Sequence, residues 1–245
     1  MEVIGIICEY NPMHLGHKKQ IDLIRRTYPD SRIVCLMSGN YVQRGAPAII
    51  DKSIRAKAAI LSGADLVLEL PITSALSSAE GFADNGVRIL SGFCTKLCFG
   101  SECGDKDALV STARALLRPD FSEYLRIELD KGLSFPAARQ NALKAMGVQE
   151  DTLSHPNDIL ATEYCKAILS QNASMEPMPI LRQGDYHDTG IDRDNPSATA
   201  LRQQMLAGEN WLDFVPAEAK DVFAATSFHA TEFGQQAILY RLQIM

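Results

Sequence analysis

Two histidines, His14 and His17, stand three residues apart behind the first apolar run of the chain, in the stretch EYNPMHLGH. Residues three apart share one side of a helical turn, so both imidazole rings can face the same ligand. The amino terminus of a helix also attracts anions, through its backbone N–H groups and the positive end of its dipole. Imidazole donors placed there could hold phosphate oxygens while negative charge develops on them. The spacing therefore predicts a site for phosphate chemistry.

The neighbours of the two histidines favour the same chemistry. Pro12 is preset for a turn and cannot extend a strand, and Gly16 lets a base or a phosphate approach the backbone closely. This combination at the end of a strand argues against the alternative that both histidines are incidental surface or core residues. A zinc site is not indicated, because this H-x-x-H has no adjacent Glu and no evident third ligand. No G-x-x-x-x-G-K-[ST] motif occurs, which excludes a P-loop.

A second constellation, Ser197, Thr199 and Arg202, stands at the start of a late helical pattern. The two hydroxyls fall at a helix start, and Arg202 can share the helix face of Thr199. Taken alone, the pattern is more typical of an ordinary helix N-cap.

Short apolar runs alternate with helical patterns and supply the elements that would position these residues. The strand-like runs cover residues 2–9, 32–38, 64–70, 96–100 and 177–182. The helical patterns cover residues 16–27, 51–62, 78–91, 106–117, 134–146, 157–170 and 197–208. This alternation predicts an α/β fold with a Rossmann-like, doubly wound parallel sheet of about five strands. Ligands bind beyond the carboxyl ends of such strands, which is where the histidine pair follows the first strand.

Two parts of the chain are expected. Residues 1–205 would form the domain that carries the site, with an inserted helical layer at about 105–172, where the pattern is almost purely helical. Residues 206–245 would begin a C-terminal helical extension. Its apolar final segment lacks a cap and a polar tail, so we expect truncation of a longer protein.

Composition narrows the class of protein. With 46% hydrophobic residues, the 245-residue chain can bury a substantial core. No apolar run approaches the ~20 residues that span a bilayer, and no basic signal-peptide region opens the chain. Six cysteines without regular pairing indicate reduced thiols in a cytoplasmic protein. The spacing of Cys94, Cys98 and Cys103 favours buried thiols over a metal site.

Charge is unevenly distributed within the net value of −6. Residues 1–60 hold nine Lys or Arg against five Asp or Glu, an excess of +4, and the other 185 residues carry −10. The positive segment carries the histidine motif and would attract a polyanion such as ATP or RNA. If charge is the only evidence, an ordinary solvated surface explains the pattern slightly better than a site for a polyanion. If RNA binds, the candidate phosphate contacts are Lys18, Lys19, Arg44, Lys52, Arg55 and Lys57.

Asn-Pro-x-His-x-Gly-His after the first strand resembles the H-x-G-H signature of the nucleotidylyltransferase superfamily, which binds ATP and attacks its α-phosphate. A finer resemblance, to the tRNA(Met) cytidine acetate ligase family, covers nearly the whole chain in order. It rests on Gly5-Ile-Ile-Cys-Glu-Tyr-Asn-Pro, Ser38-Gly-Asn-Tyr-Val-Gln-Arg-Gly45, Phe99-Gly-Ser-Glu102, Ser134-Phe-Pro-Ala-Ala-Arg139, Pro156-Asn-Asp-Ile-Leu160, Glu163-Tyr-Cys-Lys and Tyr186-His-Asp188. Met13, Asp158 and Ala161 depart from the Phe, Asn and Gly that are common in the family.

The resemblance implies that ATP lies along one continuous stretch of the chain and against three further residues. The stretch comprises Ile7, Cys8, Glu9, Tyr10, Asn11, Pro12, Met13, His14, Leu15, Gly16, His17, Lys18, Lys19 and Gln20. The further contacts are Gly100, Asn157 and Arg182. The implied catalytic residues are His14, His17, Ser197, Thr199 and Arg202. The last three resemble a second superfamily element, a Ser/Thr-rich turn into a late helix ending in Arg, which with the histidine pair would form a clamp for pyrophosphate. Magnesium would accompany ATP, without a metal site of the protein's own.

The implied reaction has two steps. Acetate attacks the α-phosphorus of ATP to give acetyl-adenylate and pyrophosphate, and the acetyl group then passes to the wobble cytidine of elongator tRNA(Met), forming acetylcytidine. Two other functions stay open: a nucleotidylyltransferase acting on a phosphorylated cofactor precursor, and an RNA-binding module with a silent nucleotide site. The partners implied are ATP, acetate and elongator tRNA(Met), with no membrane, and the sequence leaves the oligomeric state open.

Overall fold

The computed structural model describes residues 1–148, 152–182, 197–229 and 231–244. The described chain divides into two compact units. Unit 1 comprises Met1–Ser78 with the described part of Gln183–Met245, and unit 2 comprises Ala79–Arg182. The expected domain boundary near residue 205 stays a prediction.

Unit 1 begins with alternating strands and helices. These elements are β1 (Val3–Cys8), α1 (Leu15–Thr27), β2 (Arg32–Ser38), α2 (Lys52–Leu61), β3 (Leu66–Leu70) and α3 (Ile72–Ala75). Later in the chain follow α9 (Ala198–Ala207), two 3₁₀ turns (Leu212–Phe214 and Ala217–Ala219), α10 (Lys220–Ala224) and α11 (Thr231–Gln243). β1 pairs in parallel with β2, and β2 with β3. Residues 4–8 and 33–38 are buried throughout, as expected of strands covered on both faces.

Unit 2 carries the remaining strands and a helical layer. Its elements are α4 (Ala79–Leu90), β4 (Lys96–Ser101), α5 (Lys106–Leu116), α6 (Phe121–Asp130), α7 (Phe135–Ala145), α8 (Pro156–Ser170) and β5 (Glu176–Leu181). β4 and β5 are parallel. α8 packs against α4 and α5, and α6 against α7. Helices α5 to α8 form the helical layer expected at about 105–172.

The sheet has five strands in the order β3-β2-β1-β4-β5. This order confirms the predicted Rossmann-like α/β sheet, in which the sequence order of the strands reverses at β1. The predicted strands and helices agree with the observed bounds within about two residues. The carboxyl end of β1 leads directly into the histidine motif.

Helix α6 was not predicted as a separate element, although it falls inside the helical region. Only Glu128 of this helix is buried, while Ile127 and Leu129 stay largely exposed. The family-like stretch Tyr186-His-Asp188 lies outside the described residues. Within the described part of the chain, no helix has the length and apolar character needed to cross a membrane.

Candidate active site

The two histidines cap helix α1 with their own side chains. His14 is the N-cap residue, and its Nδ1 accepts the Gly16 backbone N–H at 3.1 Å. In return, the backbone N–H of His14 donates to Nδ1 of His17 at 3.3 Å. This reciprocal arrangement is a capping box in which two imidazoles take the places of the usual Ser or Thr and Glu. The predicted helix start near residue 15 is confirmed.

The two imidazole rings lie against each other on one side of the first turn, as the spacing predicts. Their centroids are 3.7 Å apart, with 25° between the ring planes. The Tyr10 ring packs on His17 with centroids 4.8 Å apart. Because both Nδ1 atoms accept hydrogen bonds, the neutral form of each ring carries its N–H on Nε2, a tautomer assigned from the hydrogen bonding. The pair can thus present two ring N–H donors in a fixed orientation.

The close approach of a ligand expected at Gly16 stays a prediction, and the structure shows a further reason for glycine at this position. A Cβ atom at this position would lie 3.0 Å from Cε1 and 3.1 Å from Nδ1 of His14. Its backbone N–H donates to Nδ1 of His14. The missing side chain makes room for the capping imidazole, and Gly16 acts on the site by letting His14 fold back over the helix end.

The loop between β1 and α1 is fixed by bonds to the segment that follows β2. The Asn11 side-chain oxygen accepts the Ile49 N–H at 2.8 Å, and a Glu9 carboxylate oxygen accepts the Gln43 N–H at 2.9 Å. Tyr10 adopts a left-handed backbone conformation with φ of 45°. Such strain in a residue other than glycine persists only where the surroundings hold it. Here the Tyr10 hydroxyl also lies 3.7 Å from Sγ of Cys35, inside the core.

Arg55 is a structural residue of this region that sequence reasoning misassigned. It was expected to contact RNA phosphates, but its side chain is fully buried. The guanidinium donates to the carbonyl oxygens of Glu9 at 2.5 Å, Ile50 at 3.0 Å and Gly39. Burial lowers the pKa of Arg55 from its ordinary value, partly offset by nearby acidic groups. Arg55 therefore joins the carboxyl ends of β1 and β2 to the start of α2.

The second constellation reaches the histidine loop within unit 1. Ser197 caps α9, with its hydroxyl oxygen accepting the Ala200 N–H at 3.1 Å, which is the N-cap alternative. Arg202 donates to the Asn11 carbonyl oxygen at 2.8 Å and to the Thr199 hydroxyl at 3.0 Å. The structure thus brings together two motifs that are 191 positions apart between Asn11 and Arg202. Their roles on a ligand stay predictions.

Unit 2 carries the other three predicted contacts. A Cβ at Gly100 would lie 3.0 Å from Cδ of Arg182, so the space expected for a ligand is occupied by the Arg182 side chain. Asn157 is the second residue of α8, and its amide donates to Glu102 at 2.6 Å. Arg182 is exposed at the end of β5. As nucleotide contacts, all three stay predictions.

Glu102 and Asp158 tie the end of β4 to the start of α8, and sequence reasoning did not single them out as site residues. The Glu102 carboxylate accepts the Asp158 N–H at 2.8 Å. The buried Asp158 carboxylate in turn accepts the backbone N–H groups of Glu102 at 2.9 Å and of Cys103 at 3.1 Å. Both oxygens of an ionised carboxylate accept hydrogen bonds, whereas an amide has only one acceptor oxygen. This set of N–H donors therefore explains why Asp stands at position 158, where the family commonly has Asn. The sequence feature that could have pointed to these two residues is that each lies in a stretch resembling the family.

The stretch predicted to line ATP is only partly accessible. Tyr10 and Met13 have at most 1% of their surface exposed, so neither can contact a ligand unless the loop moves. Lys18 forms an ion pair with Asp22. Within the described chain, no group of three or more His, Cys, Asp or Glu side chains could hold a metal ion. Cys94 and Cys98 are buried as expected, but Cys103 is exposed.

The chain is similar to known proteins over most of its length. The model of a family described as HIGH nucleotidyl transferase matches residues 1–244. A tRNA(Met) cytidine acetate ligase of Clostridium perfringens is 39% identical over 246 residues, covering 93% of this chain and 61% of that protein. Another, of Clostridium novyi, is 42% identical over 220 residues, covering 86% and 55%.

Solved structures give the same result. The chain resembles Thermotoga maritima TmcAL bound with alpha-thio ATP, with a TM-score of 0.82 and 35% identity, over 91% of this chain and 55% of that one. The apo form of TmcAL has a TM-score of 0.84, also at 35% identity, over 91% and 56%. The chain therefore spans little more than half the length of the curated relatives and solved structures that it matches.

Proposed function

Because this chain belongs to the HIGH nucleotidyl transferase family, we propose that it binds ATP at the β1–α1 loop and activates acetate as acetyl-adenylate. The acetyl group is then transferred to the wobble cytidine of elongator tRNA(Met). The relatives named tRNA(Met) cytidine acetate ligase and the neighbour bound with alpha-thio ATP support this assignment. The observation that carries it is the pair of stacked, mutually capping histidines at the start of α1.

The first step asks the protein mainly for positioning and charge stabilisation. Acetate is already ionised at neutral pH, so its oxygen can attack the α-phosphorus without a strong general base. The bond from that phosphorus to the pyrophosphate oxygen breaks as the new bond forms. His14 and His17, with their tautomers fixed by the capping box, would donate from Nε2 to phosphate oxygens as charge builds there.

The leaving pyrophosphate would be held at the start of α9. Ser197 and Thr199 place hydroxyls there, and two hydrogen bonds fix the direction of the Arg202 guanidinium beside the histidine loop. Fixed donors cost little reorganisation when the charge moves onto the leaving group. Since the described residues hold no metal-binding cluster, magnesium would be bound through the phosphate oxygens of ATP.

The second step completes the proposed reaction. The exocyclic amine of the wobble cytidine attacks the acetyl carbonyl carbon, AMP leaves, and the amine loses a proton. The base must be unstacked from the anticodon to reach the site. We place this chemistry in the cytoplasm and in residues 1–205, with residues 206–245 beginning a separate helical region.

Exchange of labelled pyrophosphate into ATP tests the proposal on this chain. We expect exchange that requires acetate, because only a reversible acetyl-adenylate step returns pyrophosphate to ATP. Exchange that requires a phosphorylated cofactor precursor would instead favour a nucleotidylyltransferase. RNA binding without exchange under either condition would favour a module with a silent nucleotide site.

A further inference from the structure

A cavity of unit 1 lies where β2 and β3 end and α2 begins, and it has a volume of about 250 Å³. Its lining residues are Met37, Ser38, Gly39, Lys52, Ser53, Ala56, Val67, Leu68 and Glu69. None of them belongs to the histidine loop or to the start of α9. The carboxyl ends of parallel strands are the usual ligand edge of an α/β sheet, so this cavity is a candidate binding site.

One part of the cavity presents a donor and an acceptor side by side. Lys52 Nζ lies 2.8 Å and 2.7 Å from the two carboxylate oxygens of Glu69. About half of each side chain is exposed, so a ligand can compete for the pair. A Cβ atom at Gly39 would collide with the Glu69 carboxylate. Gly39 therefore allows Glu69 to lie flat against the backbone at the edge of the cavity.

A second and independent feature is the Ser38 side chain. Ser38 is fully buried, and among the described residues no hydrogen-bond partner is found for its hydroxyl. Buried hydroxyls nearly always have a partner, so an unpartnered one beside a cavity indicates a group supplied by a ligand or water. Ser38-Gly-Asn-Tyr is also part of a family-like stretch that the proposed adenylation step does not use.

The cavity is close to the histidine loop within unit 1. Cys8 at the end of β1 is aligned with Met37 at the end of β2, and neighbouring strands lie about 4.8 Å apart. One guanidinium, that of Arg55, donates to the carbonyl of Glu9 before the histidine loop and to the carbonyl of Gly39 in the cavity wall. A ligand in the cavity would thus sit one strand away from the proposed adenylate.

We propose that this cavity binds the cytosine base that accepts the acetyl group, an inference that rests on the proposed function. Cytosine offers an exocyclic amine beside two acceptors. A Glu carboxylate accepts from such an amine in other base-recognition sites, and the Lys52 ammonium can donate to the ring nitrogen or carbonyl oxygen. Ala56, Val67 and Leu68 give the cavity apolar surface for a flat ring. Acetate fits worse, because the Glu69 carboxylate would repel it.

Titration with CMP and UMP, in the presence of ATP, tests the proposal. Uracil has a carbonyl where cytosine has the amine, so the wild-type chain should bind CMP about tenfold more tightly than UMP. Glu69→Gln should remove most of that preference, and Ala56→Leu should weaken both nucleotides by filling the cavity. Glu218→Gln, on an exposed residue outside the cavity, serves as the matched control and should behave as wild type.

Acetate-dependent pyrophosphate exchange, measured on the same variants, separates this proposal from the proposed function. Glu69→Gln and Ala56→Leu should keep exchange within about twofold of wild type, because adenylation does not use the cavity. Loss of exchange in the wild type would refute the proposed function and leave the nucleotide titration as a test of the cavity itself. An unchanged CMP preference in Glu69→Gln would overturn the cytosine site. A raised KM for acetate in that variant would assign the cavity to acetate and overturn it as well.

Discussion

At the level of single residues, His14 combines two functions that mutation can separate. Its Nδ1 caps helix α1, and its Nε2 is the proposed donor to the nucleotide. An alanine would remove both, so a loss of activity could reflect a damaged helix start. Asparagine is among the best N-cap residues and keeps an acceptor oxygen for the first turn, but it has no imidazole.

We predict that His14→Asn lowers acetate-dependent pyrophosphate exchange by about a hundredfold or more, the effect of losing a transition-state donor. Its free energy of unfolding should stay within about 1 kcal/mol of wild type, since the cap survives. His14→Ala is the comparison and should lose similar activity plus about 1 kcal/mol of stability. Urea unfolding and pyrophosphate exchange, measured on both variants, separate the loss of activity from the loss of stability. Wild-type exchange in His14→Asn would limit His14 to the cap.

Sequence reasoning found the residues whose signals are local. His14 and His17 are neighbours in the sequence, so helical geometry alone places their rings together. Arg55 was misassigned because its partner Glu9 lies 46 positions away, and a charged residue on a helix pattern ordinarily faces solvent. Asp158 and Glu102 were passed over for the same reason, since their bonds span 56 positions.

At the level of elements, Arg55 connects two strand ends and a helix start through three backbone carbonyl oxygens. We predict that Arg55→Met destabilises the protein by about 3 kcal/mol or more, because buried carbonyl groups lose their charged donor. Lys57→Met, at an exposed position of the same helix, should change stability by less than about 0.5 kcal/mol. Urea unfolding of both variants makes the comparison. Equal stability would mean that Arg55 is dispensable to the strand ends.

Glu176 joins β4, β5 and α5 in unit 2 through Lys106 at 2.5 Å and Lys96 at 2.6 Å. These two lysines, Lys106 foremost, lower the pKa of Glu176 to about 2. Since the pKa of an unfolded glutamate is about 4.3, the stabilisation is present above that pH and is lost as pH falls toward 2. The Glu176 side chain is 49% exposed, so solvent screening keeps the effect below about 1 kcal/mol.

We therefore predict that the difference in Tm between wild type and Glu176→Gln is present at neutral pH and shrinks between about pH 4 and pH 2. Thermal melts across that range measure it. A difference that stays constant with pH would show that the carboxylate charge contributes nothing.

The positions of most strands and helices could be predicted from the sequence, because each element places buried apolar residues at a regular spacing along the chain. The order β3-β2-β1-β4-β5 could not be read from those patterns, since crossover connections determine which strands pair. Helix α6 was left undivided within the helical region expected at about 105–172.

At the level of the whole molecule, the net charge of −6 opposes nucleic acid, and the structure reduces the basic surface further. Of the six cations expected to contact phosphates, Arg55 is buried. Lys18 forms an ion pair with Asp22, and Lys52, paired with Glu69, is proposed above to contact a base and not a phosphate. Lys19, Arg44 and Lys57 make up the rest of the six. The only segment with a positive excess therefore offers a small electrostatic footprint for RNA.

We predict that this chain binds elongator tRNA(Met) weakly, and that salt weakens the binding further. Each phosphate contact contributes about −0.9 to the slope of a logarithmic salt plot, so as few as three contacts would lower the affinity roughly 40-fold between about 50 and 200 mM salt. Filter binding at those two concentrations measures the slope, with the longer Clostridium perfringens relative as the comparison. Acetyl transfer should be slow for the same reason, while pyrophosphate exchange, which needs no tRNA, should persist. Tight binding that matches the relative at both salt concentrations would place the recognition surface within these 245 residues and contradict the charge argument.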